Sequence, residues 1–401
     1  MSRSLPQFRV LTARVGAGHV QAARAIEEAF VTRGMAGQVR SIDVMERVPS
    51  WFRTLYAGGY TALVTRFPRW YDRLYRMTDQ STIRRLGPVE RLRIAVEAMI
   101  LRGLRDEIAA DRPDWLIHTH FLPAASCARW RASFGWPIRQ AVVVTDFHPH
   151  RIWRVKCVDR YFVASDVTRR QLIESGVEAH TIDVTGIPIL ARHREPTDRA
   201  AVFRDFRWPP DRPVILLLAG SDFVSGPVER AIDRLLRAFP EVTLQVAAGR
   251  SAALHDRTRR RMARFPNLRV IGHTDRINEL LDCATVVLSK TGGVTTSECL
   301  AHGACLVALF SVPGQEAHNA DYLVERGAAL GVLRLAELVE VVGSLLSNPG
   351  RRANLQTVAR TLGRANAAER IVSDVTRSTY ERTDRRRGVH RTPDSQISCG
   401  S

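Results

Sequence analysis

Short apolar runs rich in β-branched residues alternate with helical patterns along most of the chain. In the first half, such runs occur at 8–13, 38–44, 114–120, 141–147, 160–165 and 180–186. The segment 19–30, between the first two runs, carries its apolar residues at helical spacing. Strands that alternate with amphipathic helices predict a parallel, doubly wound α/β sheet.

The alternation stops at 191–213, a charged and proline-bearing segment, and then starts again. Further apolar runs occur at 214–220, 242–249, 268–272, 284–290 and 305–310. We therefore predict two Rossmann-like domains, 1–190 and 214–380, that face each other across a cleft and are joined by a linker at 191–213. The segment 381–401 has no apolar periodicity, which predicts a disordered tail.

The formal net charge of +18 is large, and arginine provides nearly all of the positive charge. Arginine-favouring codons of a GC-rich genome are one explanation, and attraction to nucleic acid or to an anionic membrane is the other. The segment 65–94 mixes arginine with Phe67, Trp70, Tyr71 and Tyr75. This mixture suits a membrane interface, but it also suits base stacking or a helix packed on its own domain.

The sequence favours a cytoplasmic protein that attaches to the inner face of the membrane without spanning it. Its N-terminus, MSRSLPQFRVL, lacks the apolar core of a secretory signal. No apolar run approaches the ~20 residues that a membrane span needs.

The loop RVGAGHVQAA (14–23) lies between a predicted strand and a predicted helix. Gly16 and Gly18 allow the backbone to approach a ligand at the anion-binding N-terminus of the helix. Gln21 stands where a dinucleotide fingerprint requires a third glycine, so that interpretation fails. His19 either caps the helix or faces the predicted cleft.

The run VVVTDFHPHRIW (142–153) places Asp146 directly after a buried strand. Ligands of open parallel sheets lie beyond the carboxyl ends of the strands, where a carboxylate can act as a general base. The alternative role is a turn cap or an ion pair with arginine. Neither an acidic triad nor a cysteine pair accompanies the neighbouring histidines, so we expect no metal site.

The strongest pattern is VVLSKTGGVTTSECLAHG (286–303), followed by VPGQEAHNADYL (312–323). A strand leads through a Gly-Gly turn into a helix, and the free amides of such a helix form a site for a diphosphate. Lys290 either supports this site or is solvated. Gln315, Glu316 and Asn319 offer amide and carboxylate groups suited to sugar hydroxyls, or cap a helix. The chain has no Asp-x-Asp, which argues against a metal-dependent donor site.

These stretches together resemble the lipid-directed glycosyltransferases of the GT-B fold. The similarity to monogalactosyldiacylglycerol synthases and processive diacylglycerol glucosyltransferases runs from about Val10 to Ile371. It is carried by GAGHVQAA, by the central segment from VTDFHPHRIW to VTGIPI, and by SKTGGVTTSE followed by PGQEAHN.

The resemblance implies a hexosyltransferase that moves sugar from UDP-glucose or UDP-galactose to diacylglycerol or a glycosylated diacylglycerol, with inversion and without metal or another cofactor. It implies that Glu298 binds the uridine ribose and that Gly292, Gly293 and Thr295 bind the diphosphate. Gln315 and Glu316 would bind the hexose. Asp146 would be the base, with His19 the rival candidate.

Two departures from the family pattern stand out. Thr291 replaces the usual proline of the turn, and AGSDFVSG (219–226) retains Gly220 without the fuller glycine run. A polyprenyl-linked or soluble acceptor stays open as an alternative. Nucleic-acid binding is disfavoured because the usual motifs are lacking and because the Gly-Gly and Gln-Glu loops would be unused.

Overall fold

The computed structural model describes residues 5–66, 68–79, 88–219, 228–309 and 314–387. They form two compact units. The first runs to Ala62, resumes over Arg73–Ala191 and includes the chain from Asn366 onward, and the second is formed chiefly by Arg192–Ala365. No helix of the described ranges is both long enough and apolar enough to cross a membrane.

Six parallel strands form the sheet of the first unit in the order β2-β1-β3-β4-β5-β6. The strands are β1 Phe8–Thr12, β2 Val39–Asp43, β3 Trp115–His118, β4 Arg139–Val143, β5 Arg160–Val163 and β6 Ile182–Val184. Each overlaps an apolar run of the sequence. β4 begins and ends earlier than predicted, and so Val144 and Thr145 separate Asp146 from the end of the strand, instead of Asp146 following it directly.

Helices cover both faces of this sheet, as parallel sheets require. The helices of this part of the chain are α1 Ala17–Thr32, α2 Ser50–Arg66, α3 Pro68–Asp79, α4 Pro88–Ile100, α5 Arg102–Asp111, α6 Ala124–Phe134 and α7 Asp166–Glu174. Of these, the stretch Leu63–Asp72, at the end of α2 and the start of α3, is grouped with the second unit. Val10 of β1 packs with Ile26 of α1, whereas the next residue, Leu11, packs in a second core with Leu104 and Ile108 of α5.

The second unit repeats the design with a sheet in the order β12-β11-β10-β7-β8-β9. Its strands are β7 Val214–Leu218, β8 Thr243–Ala247, β9 Leu268–Ile271, β10 Val286–Ser289, β11 Leu306–Leu309 and β12 Ala329–Val332. Its helices are α8 Arg199–Asp205, α9 Val228–Ala238, α10 Ala252–Arg261, α11 Ile277–Cys283, α12 Gly293–Ala301, α13 Gln315–Glu325, α14 Leu338–Ser347 and α15 Pro349–Leu362. Two Rossmann-like units are therefore confirmed.

Strand β12 was missed in the sequence because it has only four residues, one of them glycine. It pairs with β11 alone and forms the edge of the sheet. A strand this short acquires its conformation from the hydrogen bonds of its neighbour rather than from its own propensity.

The predicted linker at 191–213 is not an irregular segment. It contains α8, whose Val202 and Phe203 are buried, and the buried Trp208 donates a hydrogen bond from Nε1 to Gln245 Oε1 at 2.9 Å. The buried side chains of Val202, Phe203 and Trp208 attach this segment to the second unit. The charged residues around them obscure the helical spacing in the sequence.

The last helix of the described residues is α16 Ala367–Arg387, a long helix that belongs to the first unit. Ile371, Val372 and Val375 are fully buried against α1, next to Phe30. The predicted domain boundary at 380 is therefore corrected, and so is the predicted start of the tail, because the helix continues past Glu381. Residues 388–401 lie outside the described residues.

A bidentate ion pair fixes α16 to the sheet. Arg160 of β5 donates to both oxygens of Asp374, at 2.7 Å and 2.5 Å, and the Asp374 side chain is only 9% exposed. The same guanidinium contacts Asp183 at 3.2 Å, but that carboxylate is 43% exposed. Asp374 and Asp183 thus contact the same guanidinium but differ in burial, so they can be compared directly.

We predict that Asp374→Ala lowers the free energy of unfolding by about 3 kcal/mol, because it leaves a largely buried guanidinium without its partner. Asp183→Ala should cost less than about 1 kcal/mol, as exposed pairs do. Urea denaturation measures both values. Equal losses in the two variants would contradict the anchoring role of Asp374.

Candidate active site

Each sheet has one point where the strand order reverses, between β1 and β3 in the first unit and between β7 and β10 in the second. Ligands of open α/β sheets bind beyond the carboxyl ends of the strands at such points. The predicted residues His19 and Asp146 lie at the first of these edges, and the turn 290–292 lies at the second. The topology thus groups the predicted residues into one site per unit.

The glycine loop after β1 is a helix start without a side-chain cap. Gly16 is the N-cap of α1 and has a φ of 97°, a conformation that favours glycine. Gly18 lies in the first turn of α1. The helix begins at Ala17, so His19 does not cap it, and the capping role considered for His19 is wrong.

His19 is oriented by two hydrogen-bonding groups at the sheet edge. Its Nδ1 lies 2.8 Å from the carbonyl oxygen of Thr119 and 3.0 Å from the hydroxyl oxygen of Thr145. Because a carbonyl only accepts, Nδ1 carries the hydrogen and the lone pair of a neutral His19 lies on Nε2. The ring keeps some exposed surface, but burial among its neighbours lowers its pKa to about 4, against the opposing effect of the Thr119 bond. His19 is therefore neutral at neutral pH.

Asp146 is buried in a loop that is held on both sides. The preceding residue, Thr145, contacts His19, and the carbonyl of the following residue, Phe147, accepts a hydrogen bond from Thr168 Oγ1 at 2.7 Å. Asp146 itself is 7% exposed. The structure thus places both candidate bases in one neighbourhood, as the sequence predicted for the strand ends, and gives each a restrained backbone.

The rest of this loop is attached to α3. Asp79, at the end of α3, accepts hydrogen bonds from His148 Nε2 at 2.7 Å and from the Arg151 amide at 2.8 Å. Burial raises the pKa of Asp79, but these bonds outweigh it and hold the pKa at about 2. His150 Nε2 lies 3.2 Å from Thr78 Oγ1. The described residues contain no group of three His, Cys, Asp or Glu side chains that could hold a metal ion.

The turn after β10 presents the N-terminus of α12. Gly292 is the N-cap and makes no side-chain capping bond, and no acidic residue occupies the first turn. A side chain at Gly292 would meet no atom of the described residues within 4 Å, so these residues leave the space beside the turn open. Gly293 is buried and Thr295 is half-buried within that first turn. Free amides and the helix dipole favour an anion here.

A buried amide supports this turn. Asn319 of α13 has no exposed surface, and its Nδ2 donates to the carbonyl of Thr291 at 2.8 Å. Thr291 Oγ1 in turn donates to the carbonyl of Glu316 at 2.6 Å. The predicted contact between Asn319 and a sugar is therefore corrected, because a side chain with no exposed surface supports the turn instead.

Lys290 and Glu316 form an ion pair at 3.2 Å, and both side chains are largely buried. Their charges compensate each other, so the attraction for a diphosphate comes chiefly from the helix amides. Gln315 begins α13 beside Gly314, whose φ of 97° and ψ of −132° suit only glycine. Gly220, the remaining predicted residue, lies outside the described residues.

Glu298 lies in the second turn of α12 with its side chain 15% exposed, and its Oε1 is 3.2 Å from Nε2 of His193. His193 was missed in the sequence because it stands in the segment predicted to be a linker. No motif includes His193, and its two arginine neighbours, Arg192 and Arg194, are the one local feature that sets it apart.

Comparison with known families identifies both units. Residues 19–189 match the family Monogalactosyldiacylglycerol (MGDG) synthase, and residues 224–371 match the glycosyltransferase family 28 C-terminal domain. The two halves of the chain are thus similar to the two domains of lipid-directed glycosyltransferases of the GT-B fold.

One curated relative is similar over most of the chain, and solved structures share its fold. The processive diacylglycerol β-glucosyltransferase of Bacillus licheniformis is 28% identical over 373 residues, which cover 91% of this chain and 93% of that enzyme. The S. aureus MnaA–UDP structure matches with a TM-score of 0.61 and 13% identity, over 94% of this chain and 97% of that chain. Acinetobacter baumannii MurG matches with a TM-score of 0.59 and 16% identity, over 93% and 100%.

At the end of β3 in the first unit, a fully buried histidine makes the stability of the chain dependent on pH. His118 has no exposed surface, its Nε2 lies 3.0 Å from Gln140 Oε1, and burial lowers its pKa to about 4. The unfolded chain binds a proton near pH 6.5, so the unfolded state gains protons first as the pH falls. The contribution of neutral His118 is complete above about pH 6.5 and is lost toward pH 4.

We predict that His118→Gln, which keeps a donor at the position of Nε2 and does not titrate, loses less stability than the wild type between pH 6.5 and pH 4. The difference should reach about 3 kcal/mol. Denaturant titrations at several pH values measure it. His180→Gln, at a side chain that is 74% exposed, serves as the control and should follow the wild type. Parallel curves for all three proteins would contradict the prediction.

Proposed function

We propose that the chain is an inverting glycosyltransferase that moves a hexose from a UDP-sugar to diacylglycerol or to a glycosylated diacylglycerol. The observation that carries the proposal is the uncapped N-terminus of α12 at the strand-order reversal of the second sheet, with Glu298 one turn further along. Relatives named processive diacylglycerol β-glucosyltransferase support the choice of acceptor.

The second unit binds the donor in this proposal. The first-turn amides of α12, from Gly293 to Thr295, hold the diphosphate. Glu298 accepts hydrogen bonds from the ribose hydroxyls, and the half-buried Gln315 and Glu316 contact the hexose. Supports behind this surface, Asn319 above all, keep the amides in a fixed direction, so that little reorganisation is needed when charge develops.

The proposed transfer requires a base for the acceptor hydroxyl and a stabilised leaving group. The acceptor oxygen loses its proton to Asp146, or to Nε2 of His19, as it attacks the anomeric carbon from the side opposite UDP. The bond between that carbon and the diphosphate oxygen breaks, and its electron pair leaves with UDP. The amides of α12 stabilise the departing negative charge and so perform the task that a metal ion has in other transferases.

Attachment to a membrane surface is part of the proposal. Seven of the thirteen large apolar side chains that are exposed among the described residues belong to 51–99, on helices α2 to α4. They include Trp51, Trp70 and Met99, exposed by 60%, 67% and 66%. Arg53 and Arg73 lie exposed on the same helices. Aromatic and aliphatic residues beside arginine suit the headgroup region of an anionic bilayer. The side chain of Tyr71, the other predicted anchor, lies outside the described residues.

Incubation of the purified protein with a panel of UDP-sugars and diacylglycerol, followed by lipid mass spectrometry, tests the proposed reaction. We expect one hexose donor to give glycosylated diacylglycerol in the presence of EDTA. A product formed only with a polyprenyl phosphate or a soluble acceptor would assign the same chemistry to the alternative substrate. An absolute requirement for Mg²⁺ or Mn²⁺ would contradict the proposed role of α12.

With the active donor, Asp146→Asn should reduce kcat by ~10²–10⁴-fold, because the amide keeps the shape of the side chain but takes up no proton. The affinity for UDP and the melting temperature should change little. His19→Ala provides the comparison. If Asp146→Asn keeps its turnover and His19→Ala loses it, the base is His19.

Vesicle binding tests the membrane surface. Trp70→Ala should weaken binding to anionic vesicles at least about fivefold, since it removes an interfacial aromatic anchor, and binding should fall with added salt. Leu333→Ala removes a side chain that is 77% exposed in the second unit and should bind as the wild type does. Equal binding by all three proteins would exclude α3 as the anchor.

A further inference from the structure

Glu298 is one end of a chain of four polar side chains within the second unit. Glu298 Oε1 lies 3.2 Å from His193 Nε2, and His193 Nδ1 lies 2.9 Å from His302 Nε2. The chain ends at Asp282, whose Oδ1 is 2.6 Å from His302 Nδ1. Asp282 also accepts a hydrogen bond from Thr197. Three elements contribute to this chain: the segment before α8, the helix α12 with the residue after it, and α11.

Burial increases from both ends toward the middle. The side chains of His193 and His302 are 1% and 3% exposed, whereas those of Glu298 and Asp282 are 15% and 32% exposed. His193 Nε2 has no hydrogen-bond partner among the described residues, so its ion-pair contact with Glu298 is the interaction that can satisfy it. An unsatisfied polar atom this deep would be costly.

The hydrogens of this chain can be counted. The Asp282 carboxylate only accepts, so His302 Nδ1 carries a hydrogen. A second hydrogen lies between the two imidazoles. With these two hydrogens in place, Nε2 is the ring nitrogen of His193 that faces the Glu298 carboxylate, at 3.2 Å.

We propose that His193, itself oriented by His302 and Asp282, is a positioning residue for the donor: it holds one oxygen of Glu298 and directs the other toward the ribose hydroxyls of a nucleoside diphosphate. This inference rests on the proposed function of Glu298. A ring that His302 holds in place restricts the rotamers of the Glu298 carboxylate, which would otherwise lose this freedom only when the ligand binds.

The experiment measures binding of UDP and of 2′-deoxy-UDP by calorimetry, because a role that acts through the ribose changes the ratio of the two affinities. His193→Asn keeps a group at the position of Nδ1 and loses the contact with Glu298. His193→Gln keeps a donor at the position of Nε2. Glu298→Ala is the reference for loss of ribose recognition, and His255→Asn, at a histidine of α10 remote in sequence from the chain of contacts, is the matched control.

We expect His193→Asn to bind UDP about tenfold more weakly than the wild type, because about 1.4 kcal/mol of ribose binding should depend on the oriented carboxylate. The affinity of His193→Asn for 2′-deoxy-UDP should change by about twofold or less. The affinity of His193→Gln for UDP should also change by about twofold or less. His255→Asn should match the wild type. The ratio of the affinity for UDP to the affinity for 2′-deoxy-UDP should therefore fall in His193→Asn toward the ratio measured for Glu298→Ala.

Two outcomes overturn the inference and leave the proposed function intact. In one, a folded His193→Asn keeps the wild-type ratio while Glu298→Ala loses it. In the other, His193→Asn weakens both ligands equally, which indicates a general structural role. If His193→Asn fails to fold, Asp282→Asn replaces it, and an unchanged ratio in that variant has the same meaning. Failure of the wild type to bind UDP at all would instead reject the proposed function.

Discussion

The hydrogen bonding of parallel strands is the constraint on which the rest of this structure depends. It forces every strand of a sheet to end at the same edge, so that each following loop carries its polar residues to a common place. In the first unit this edge collects His19 and Asp146 from segments more than 120 residues apart. In the second it sets the Gly-Gly turn at the strand-order reversal, with the N-terminus of α12 open beside it. The chemistry of the chain thus follows from sheet topology before any individual contact is considered.

Buried polar contacts then fix the conformation of the loops that follow these strands. The carbonyl of Thr119 orients His19, Thr168 holds Phe147, and the amide of Asn319 holds Thr291. Each contact satisfies a backbone group that would otherwise be buried alone, and each therefore contributes to folding and to site geometry at once. Because the Asn319 side chain has no exposed surface, it supports the turn before α12 and does not line it.

The two units differ in how their polar groups are neutralised. Burial keeps His19 uncharged at the edge of the first sheet, where a neutral imidazole can take up a proton. At the edge of the second sheet, Lys290 pairs with Glu316, and the carboxylates of Glu298 and Asp282 each contact a histidine. Burial raises the pKa of Asp282, yet the bonds from His302 and Thr197 outweigh it and hold the pKa below its usual range. The pair of Lys290 and Glu316 adds no net charge beside the turn before α12.

The sequence by itself determined the α/β class, eleven of the twelve strands in outline, and the two edges at which function would lie, because apolar periodicity and strand-turn-helix motifs are local properties. The tertiary structure decided what is not local. Strand β12 forms because it pairs with β11. Helix α8 is held in the second unit by its buried apolar side chains. Helix α16 belongs to the first unit because Ile371 and its neighbours pack against α1. It also decided that Asn319 is a support and that His193 contacts Glu298. Burial and partner choice depend on segments that are distant in the chain, and no pattern along a single segment encodes them.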